Sequence, residues 1–187
     1  MITRRLFQKE GFRFAIRPYA EVDVPHIFAA AEESRGHVGE WMSWMTEGYS
    51  LSDVKEWVRF AIPAWDDGAA YEFVIIDRED GAVAGSCGLN QINRMDRVCN
   101  LGYWVRASKL RLGAARQAVL LLKEIGLNEI GLNRLEIVVA AENVASQRVA
   151  ESVGAVYEGV QRQRICIHGV AHDAKMYALV RCGENDE

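Results

Sequence analysis

The residues with the clearest chemical promise lie in RASKLRLGAARQAVLLL, residues 106–122. A knot of small residues, Gly113, Ala114 and Ala115, stands where a helix should begin, and basic residues crowd around it. Between Asp96 and Glu124 there is no acidic residue, yet Arg97, Arg106, Lys109, Arg111, Arg116 and Lys123 all fall in that span. A helix start offers unpaired N–H groups and the positive end of the helix dipole. Small residues there let an anion approach the backbone closely. The combination fits a pyrophosphate held mainly by peptide N–H groups. By spacing alone it fits a solvated helix start equally well, since a single glycine loop is a weak signal.

The neighbouring elements narrow the ligand. A Rossmann dinucleotide site needs a parallel βαβ unit and three spaced glycines. Here the strand before the loop, RVCNLGYWV (97–105), closes an antiparallel meander, and Leu110, Arg111 and Leu112 stand where further glycines would be. A Walker loop needs Gly-Lys-Ser or Gly-Lys-Thr, which is missing. Neither NAD nor ATP is favoured.

The chain that must position this loop has 187 residues, enough for one domain with a substantial core, 1–187, with about ten N-terminal and about five C-terminal residues expected to fray. Its net charge of −4 argues against binding nucleic acid directly, so any phosphate affinity must come from local charge. Cys87, Cys99, Cys166 and Cys182 form no CxxC pair and fit the reducing cytoplasm. No apolar run approaches the roughly 18 residues that span a bilayer, so no membrane is expected.

Hydrophobic periodicity orders the elements. GFRFAIRPY (11–19) reads as a strand. Asp23 is placed to cap a helix through VPHIFAAAEES. GHVGEWMSWMTEGYS is irregular with a short helix, and Ser52 and Asp53 start a further helix to Trp65. YEFVIID (71–77) and AVAGSCGLNQI form a hairpin turning at Asp80-Gly81, and 97–105 follows. A helix from 113 to about 125 is expected to end at Gly126. RLEIVVA (134–140) is a buried strand, and Asn143 starts a helix whose left-handed cap is Gly154. A last hairpin turns at His168-Gly169. This is mixed α/β built on one central sheet.

In this order the motifs resemble the GNAT superfamily of acetyl-CoA-dependent N-acetyltransferases, in its RimJ/RimL-type branch. The likeness is carried by FAIRPYAEVDVPHIFAAAEES, EWMSWM, NLGYWVR with the loop after it, LNRLEIVV, ENVASQRVAESVGAVYEG and HDAKMYALV. The family's phosphate loop, Arg/Gln-x-x-Gly-x-Gly/Ala, falls on Leu110, Gly113 and Ala115, and a frequent extra glycine falls on Arg111. Lys109 and Arg111 are the basic neighbours that can compensate for the lost first position.

The resemblance implies a single GNAT-like domain with a central, mostly antiparallel, splayed sheet flanked by helices. It implies acetyl-CoA as cofactor, with its pantetheine arm paired to backbone at Tyr103, Trp104 and Val105. The pyrophosphate would lie on Lys109, Arg111, Leu112, Gly113, Ala114, Ala115 and Arg116, with Asn143 and Ser146 near the thioester. Many relatives carry a tyrosine that protonates the leaving thiolate, and here that position is Ala150. RimL-like members instead carry a serine, which here is Ser146. The usual base positions fall on Asn100 and near Ile165, neither of them a base, although Asn100 can orient the amine or a water. Trp41 and Trp44 are implied to line the acceptor pocket, with Glu40 and Glu47 drawing in a cation; Trp41, Trp44, Trp57 and Trp65 can equally be packing residues. Monomer and homodimer are both compatible with the family.

A site without a carboxylate base suits a weakly basic amine. A free α-amine with pKa near 8 is roughly a tenth neutral at pH 7, and a lysine near 10.4 about a thousandfold less than fully neutral, a gap of about 3.4 kcal/mol. A peptide or protein α-amine is therefore the expected acceptor, with small-molecule amines still open. The competing reading is a non-catalytic acyl-CoA-binding or protein-interaction module on the same fold. His168, His172 and Asp173 read as a hairpin turn rather than a metal site. Arg162 and Arg164 share a strand face, and Glu136 is open between a structural charge and a hidden base.

Overall fold

The structure, a computed structural model, describes residues 2–181; Cys182 and the expected frayed tail 183–187 lie outside the described residues. Seven strands form one sheet in the order β1-β2-β3-β4-β5-β7-β6: β1 Phe14–Pro18, β2 Tyr71–Asp77, β3 Val83–Asn93, β4 Val98–Val105, β5 Arg134–Ala140, β6 Val156–Ile167 and β7 Val170–Val180. All neighbours are antiparallel except β4 and β5. That parallel pair is short. It joins Val98, Cys99 and Asn100 to Arg134, Leu135 and Glu136 and goes no further, although both strands continue. The splay implied by the resemblance is therefore present. Beyond Asn100 the β5-facing edge of β4 has no strand partner.

Helices cover both faces. On one lie α1 (Val24–Glu33), α2 (Arg35–Gly39) and α3 (Leu51–Asp66), packed through Val24, Ile27, Ala30, Val54 and Val58 against Val74 and Val83 of the sheet. On the other lie α4 (Ala114–Glu124) and α5 (Val144–Ser152), over Phe73, Ile75, Leu89, Leu101 and Leu135. Strand alternation accounts for the division, because Phe73 and Ile75 point one way and Val74 the other.

Three local expectations are corrected. Gly126 does not end α4, which closes at Glu124; the chain continues through a wide turn, Ile125–Glu129, and a Cβ on Gly126 would stand 2.7 Å from a methyl of Leu135. The glycine serves close packing, not termination. Asp23 makes no side-chain cap on α1, since its carboxylate accepts from Arg17 at 2.6 and 2.7 Å and from the Ala20 N–H at 2.8 Å. The cap of α3 is Ser50, paired with Asp53 in a capping box. Near the N-terminus Ile2 and Phe7 are buried, and Phe7 exchanges backbone hydrogen bonds with Ile16.

Candidate active site

The phosphate-type loop is built as its residues require. Gly113 adopts φ +87°, the left-handed region that L side chains avoid, and Arg111 is also left-handed at φ +61°. Alternating backbone of this kind turns successive N–H groups to one side. Among the described residues, the N–H groups of Gly113, Ala114 and Ala115 meet no acceptor, and no side chain caps α4. They are free donors at a helix start, and Gly113 presents no side chain in front of them.

The basic cluster is less available than its sequence suggests. Lys109 is buried. Its ammonium donates to Asp77 at 2.7 Å and Asp80 at 2.5 Å, and Arg13 grips Asp77 from the other side at 2.6 and 3.0 Å. Arg13 and Lys109 hold the Asp77 carboxyl far below its usual range. The charge of Lys109 is thus paired within the scaffold. Arg106 is paired with Glu33 at 2.6 Å, and Glu33, bonded to Ser108 and Arg106, is lowered to about 2. Acidic residues distant in sequence have been folded onto the apparently cleared stretch. Arg111 and Arg116 carry no carboxylate partner among the described residues.

At the far end of the splay, Asn143 accepts the Ser146 N–H at 3.0 Å and so caps α5. This cap turns Ser146 toward β4, where its hydroxyl meets the Tyr103 hydroxyl at 2.8 Å. Tyr103 also donates to the Ser146 carbonyl at 3.1 Å, and burial pushes its phenol up to about 12. The sequence offered Tyr103 only through its backbone. Its ring crosses to α5 and supplies a phenol near the helix from which the family's tyrosine is missing, where Ala150 is buried.

On the α1–α3 side of β2–β4 the fold encloses a cavity of about 840 Å³. Asn100, Tyr103, Trp104 and Trp44 line it, as does Trp57. Trp41 and Glu40 are not among its lining residues; they follow α2 immediately, and Glu40 is exposed. Glu72 also lines the cavity. Its place in the apolar run YEFVIID, two strands away from the usual base position, hid it from sequence reasoning. A lone carboxylate inside a β-branched strand was the available signal.

Outside these features, Glu136 is paired with Arg134 at 2.8 Å, and Arg134 also holds Glu158. Arg162 and Arg164 are exposed. His168 bonds the Gly39 carbonyl at 2.7 Å and ties the β6–β7 turn to the end of α2. Among the described residues no three His, Cys, Asp or Glu side chains form a metal-ligating group.

A splayed β4/β5 pair, a left-handed glycine loop leading into α4, and an asparagine-capped α5 facing the gap define the acetyl-CoA-binding scaffold of a GNAT acetyltransferase. The family model "Acetyltransferase (GNAT) domain" matches residues 13–156, and the chain belongs to that family. It is an acetyltransferase. The chain is 31% identical over 173 residues to the "Probable N-acetyltransferase YjcK" of Bacillus subtilis (strain 168), covering 91% of this chain and 96% of that one. Its fold matches RimL, the ribosomal L7/L12 α-N-protein acetyltransferase solved with coenzyme A, at TM-score 0.86 and 22% identity over 94% of this chain and 98% of that one. It also matches the ribosomal-protein-S5-alanine acetyltransferase of Vibrio fischeri at TM-score 0.85 and 19% identity, over 97% and 98% of the two chains.

Proposed function

We propose that this enzyme transfers an acetyl group from acetyl-CoA to a primary amine, foremost the α-amine of a peptide or protein, by direct attack with both substrates bound. The observation that carries the reading is the juxtaposition of the open β4 edge with the Tyr103–Ser146 hydroxyl pair. The residues present fit the cofactor. The backbone of Tyr103, Trp104 and Val105 lies on the unpaired side of the splay, and the free N–H groups of Gly113, Ala114 and Ala115 suit a pyrophosphate. Arg111 and Arg116 add charge there, whereas Lys109 holds the loop in place through Asp77 and Asp80.

When bound, acetyl-CoA supplies an acyl carbon activated as a thioester. The chain must present an uncharged amine and provide a proton for the departing sulfur. Ser146 and Tyr103 share a hydroxyl network able to hold that proton, with Asn143 fixing the serine by its cap. Asn100, with its carbonyl oxygen toward no donor among the described residues, is placed to orient the incoming N–H. The names of the RimL and S5-alanine relatives support a protein α-amine, and by the same reading the enzyme works in the cytoplasm.

Calorimetric titration with acetyl-CoA, beside Gly113→Glu, tests the cofactor half. Micromolar binding by the wild type, lost in the variant, is expected. Coenzyme A release on a peptide with a free α-amine, against its α-blocked lysine-bearing twin, tests the acceptor half. Preference for the lysine peptide would overturn the α-amine assignment.

A further inference from the structure

The cavity over β2–β4 holds a carboxylate with an unusual setting. Glu72, in the middle of β2, is 6% exposed, and its Oε1 accepts from Asn90 Nδ2 at 3.0 Å. Asn100 Nδ2 in turn donates to Asn90 Oδ1 at 2.9 Å. Oε2 accepts no hydrogen bond from the described residues, yet it is not a sealed-off buried atom. It lies directly over Gly88, where an added Cβ would stand 1.9 Å from it. Gly102 faces Gly88 across the β3–β4 ladder. Two opposed glycines leave a hollow beside the carboxylate that any pair of side chains would fill.

Among the described residues no cationic side chain pairs with Glu72. No lysine, arginine or histidine lines the cavity among the described residues, and its other charged groups are Asp53 and Glu56 of α3. A buried carboxylate normally has a cationic partner. The walls suggest what that partner is attached to. Trp44 stands 5.1 Å from Tyr49 and 5.9 Å from Trp104, and Trp57 stands 5.4 Å from Phe60. Phe60 is 55% exposed, Trp57 42% and Trp44 37%, values high for large apolar side chains. Aromatic faces beside a carboxylate suit an ammonium carried on an apolar body.

We propose that this cavity is an ammonium site, in which Glu72 Oε2 receives a primary amine and the aromatic walls hold an aromatic or large apolar group one or two carbons from the nitrogen. The proposal rests on the acetyltransferase reading for its chemical consequence and names the acceptor class of that reaction. The N–H proton passes from the ammonium nitrogen to Glu72 Oε2. This leaves a neutral carboxylic acid and a neutral amine whose lone pair is free to attack. Asn90 and Asn100 act as positioning residues that hold the carboxylate. Burial pushes Glu72 up to about 7, which suits a proton acceptor for an α-amine. The titratable neighbours Tyr19 and Cys87 are pushed up by burial and remain neutral.

The test is equilibrium binding, followed by tryptophan fluorescence, to the wild type and Glu72→Gln. Glutamine keeps the shape and the acceptor for Asn90. The probes are 2-phenylethylamine, 3-phenylpropionate as its carboxylate counterpart, and the peptide amide Phe-Ala-Ala. Affinity of the wild type for 2-phenylethylamine is expected to rise about tenfold from pH 6 to pH 8, following ionisation of a group near 7. The variant should bind weakly with no pH slope, and 3-phenylpropionate should not bind. The variant's melting temperature at pH 8 should equal or exceed the wild type's, which shows that it is folded. Binding of the peptide alone identifies a chain N-terminus as the occupant, and binding of the free amine alone identifies a small molecule. Equal binding and equal pH slope in the variant, binding of the carboxylate probe, or binding of neither amine overturns the proposal. Acetyl-CoA titration of the same samples tests the parent reading separately, because amine binding needs no cofactor.

Discussion

Replacing Lys109 by methionine should destabilise the protein before it weakens the cofactor site. The ammonium donates to Asp77 at 2.7 Å and to Asp80 at 2.5 Å, and Asp77 is fully buried while Asp80 is half exposed. Methionine keeps the apolar stem and removes the charge. Asp77 retains Arg13, so it is not orphaned. The lost buried, charge-assisted hydrogen bond is worth about 1.5–3 kcal/mol, and the solvent-exposed arm to Asp80 adds little. That loss amounts to roughly 3–12 °C in melting temperature for a chain of this size. Asp77→Asn loses both cations and should cost more; Asp80→Asn should cost least. The pH sign follows from the direction of the shift. Asp77 is held below its unfolded value, so its contribution is fully present above about pH 4–5 and is lost as the pH falls below that. Lys109→Met weakens the depression, so the acid-side loss of stability should shrink. Thermal melts between pH 3 and pH 7, paired with acetyl-CoA titration at pH 7, check both halves. An unchanged melting temperature with affinity weakened tenfold or more would refute the reasoning, because it would place the ammonium on the ligand.

Gly113→Ala forces a side chain into φ +87°, at a cost of about 1–2 kcal/mol, although the new Cβ meets nothing nearer than Gln117 at 3.6 Å. The loop should shift to relieve this, and calorimetry should show acetyl-CoA affinity falling about tenfold. Tyr103→Phe and Ser146→Ala should each lower turnover about tenfold, and the double variant on the order of a hundredfold, with acetyl-CoA affinity little changed, as read by coenzyme A release. Asn143→Ala removes the α5 cap and should cost about 1 kcal/mol in a thermal melt, with Asn143→Asp retaining most of it. Because the raised Glu72 carboxyl must ionise within the fold, wild-type stability should decline as the pH rises from 5 through 7, and Glu72→Gln should abolish that decline in melts taken across the range.

Much of this enzyme was legible in local sequence because its signals are local. Runs of apolar and β-branched residues marked β2 and β5 to the residue, the His168-Gly169 and Asp80-Gly81 turns separated hairpin partners, and Asn143 with Gly154 bracketed α5. Backbone sterics and a helix's own unsatisfied N–H groups act over a few residues, so the glycine loop too was visible in one stretch. Charge and contact across the sheet are different. Lys109 read as a free cation because Asp77 and Asp80 are some thirty residues away in sequence and become its neighbours only when β2 and the loop after β4 fold together. Gly126 read as a helix stop because the Leu135 methyl that needs its space belongs to another strand. Glu72 was visible only as a member of the strand 71–77. Its meaning depends on the β2–β3–β4 register, which sets it over Gly88 and in line with Asn90 and Asn100. The sequence by itself determined the elements and the family; tertiary structure alone decided which charges are neutralised and which one is left open to a ligand, because electrostatic pairing depends on distance in space and not along the chain.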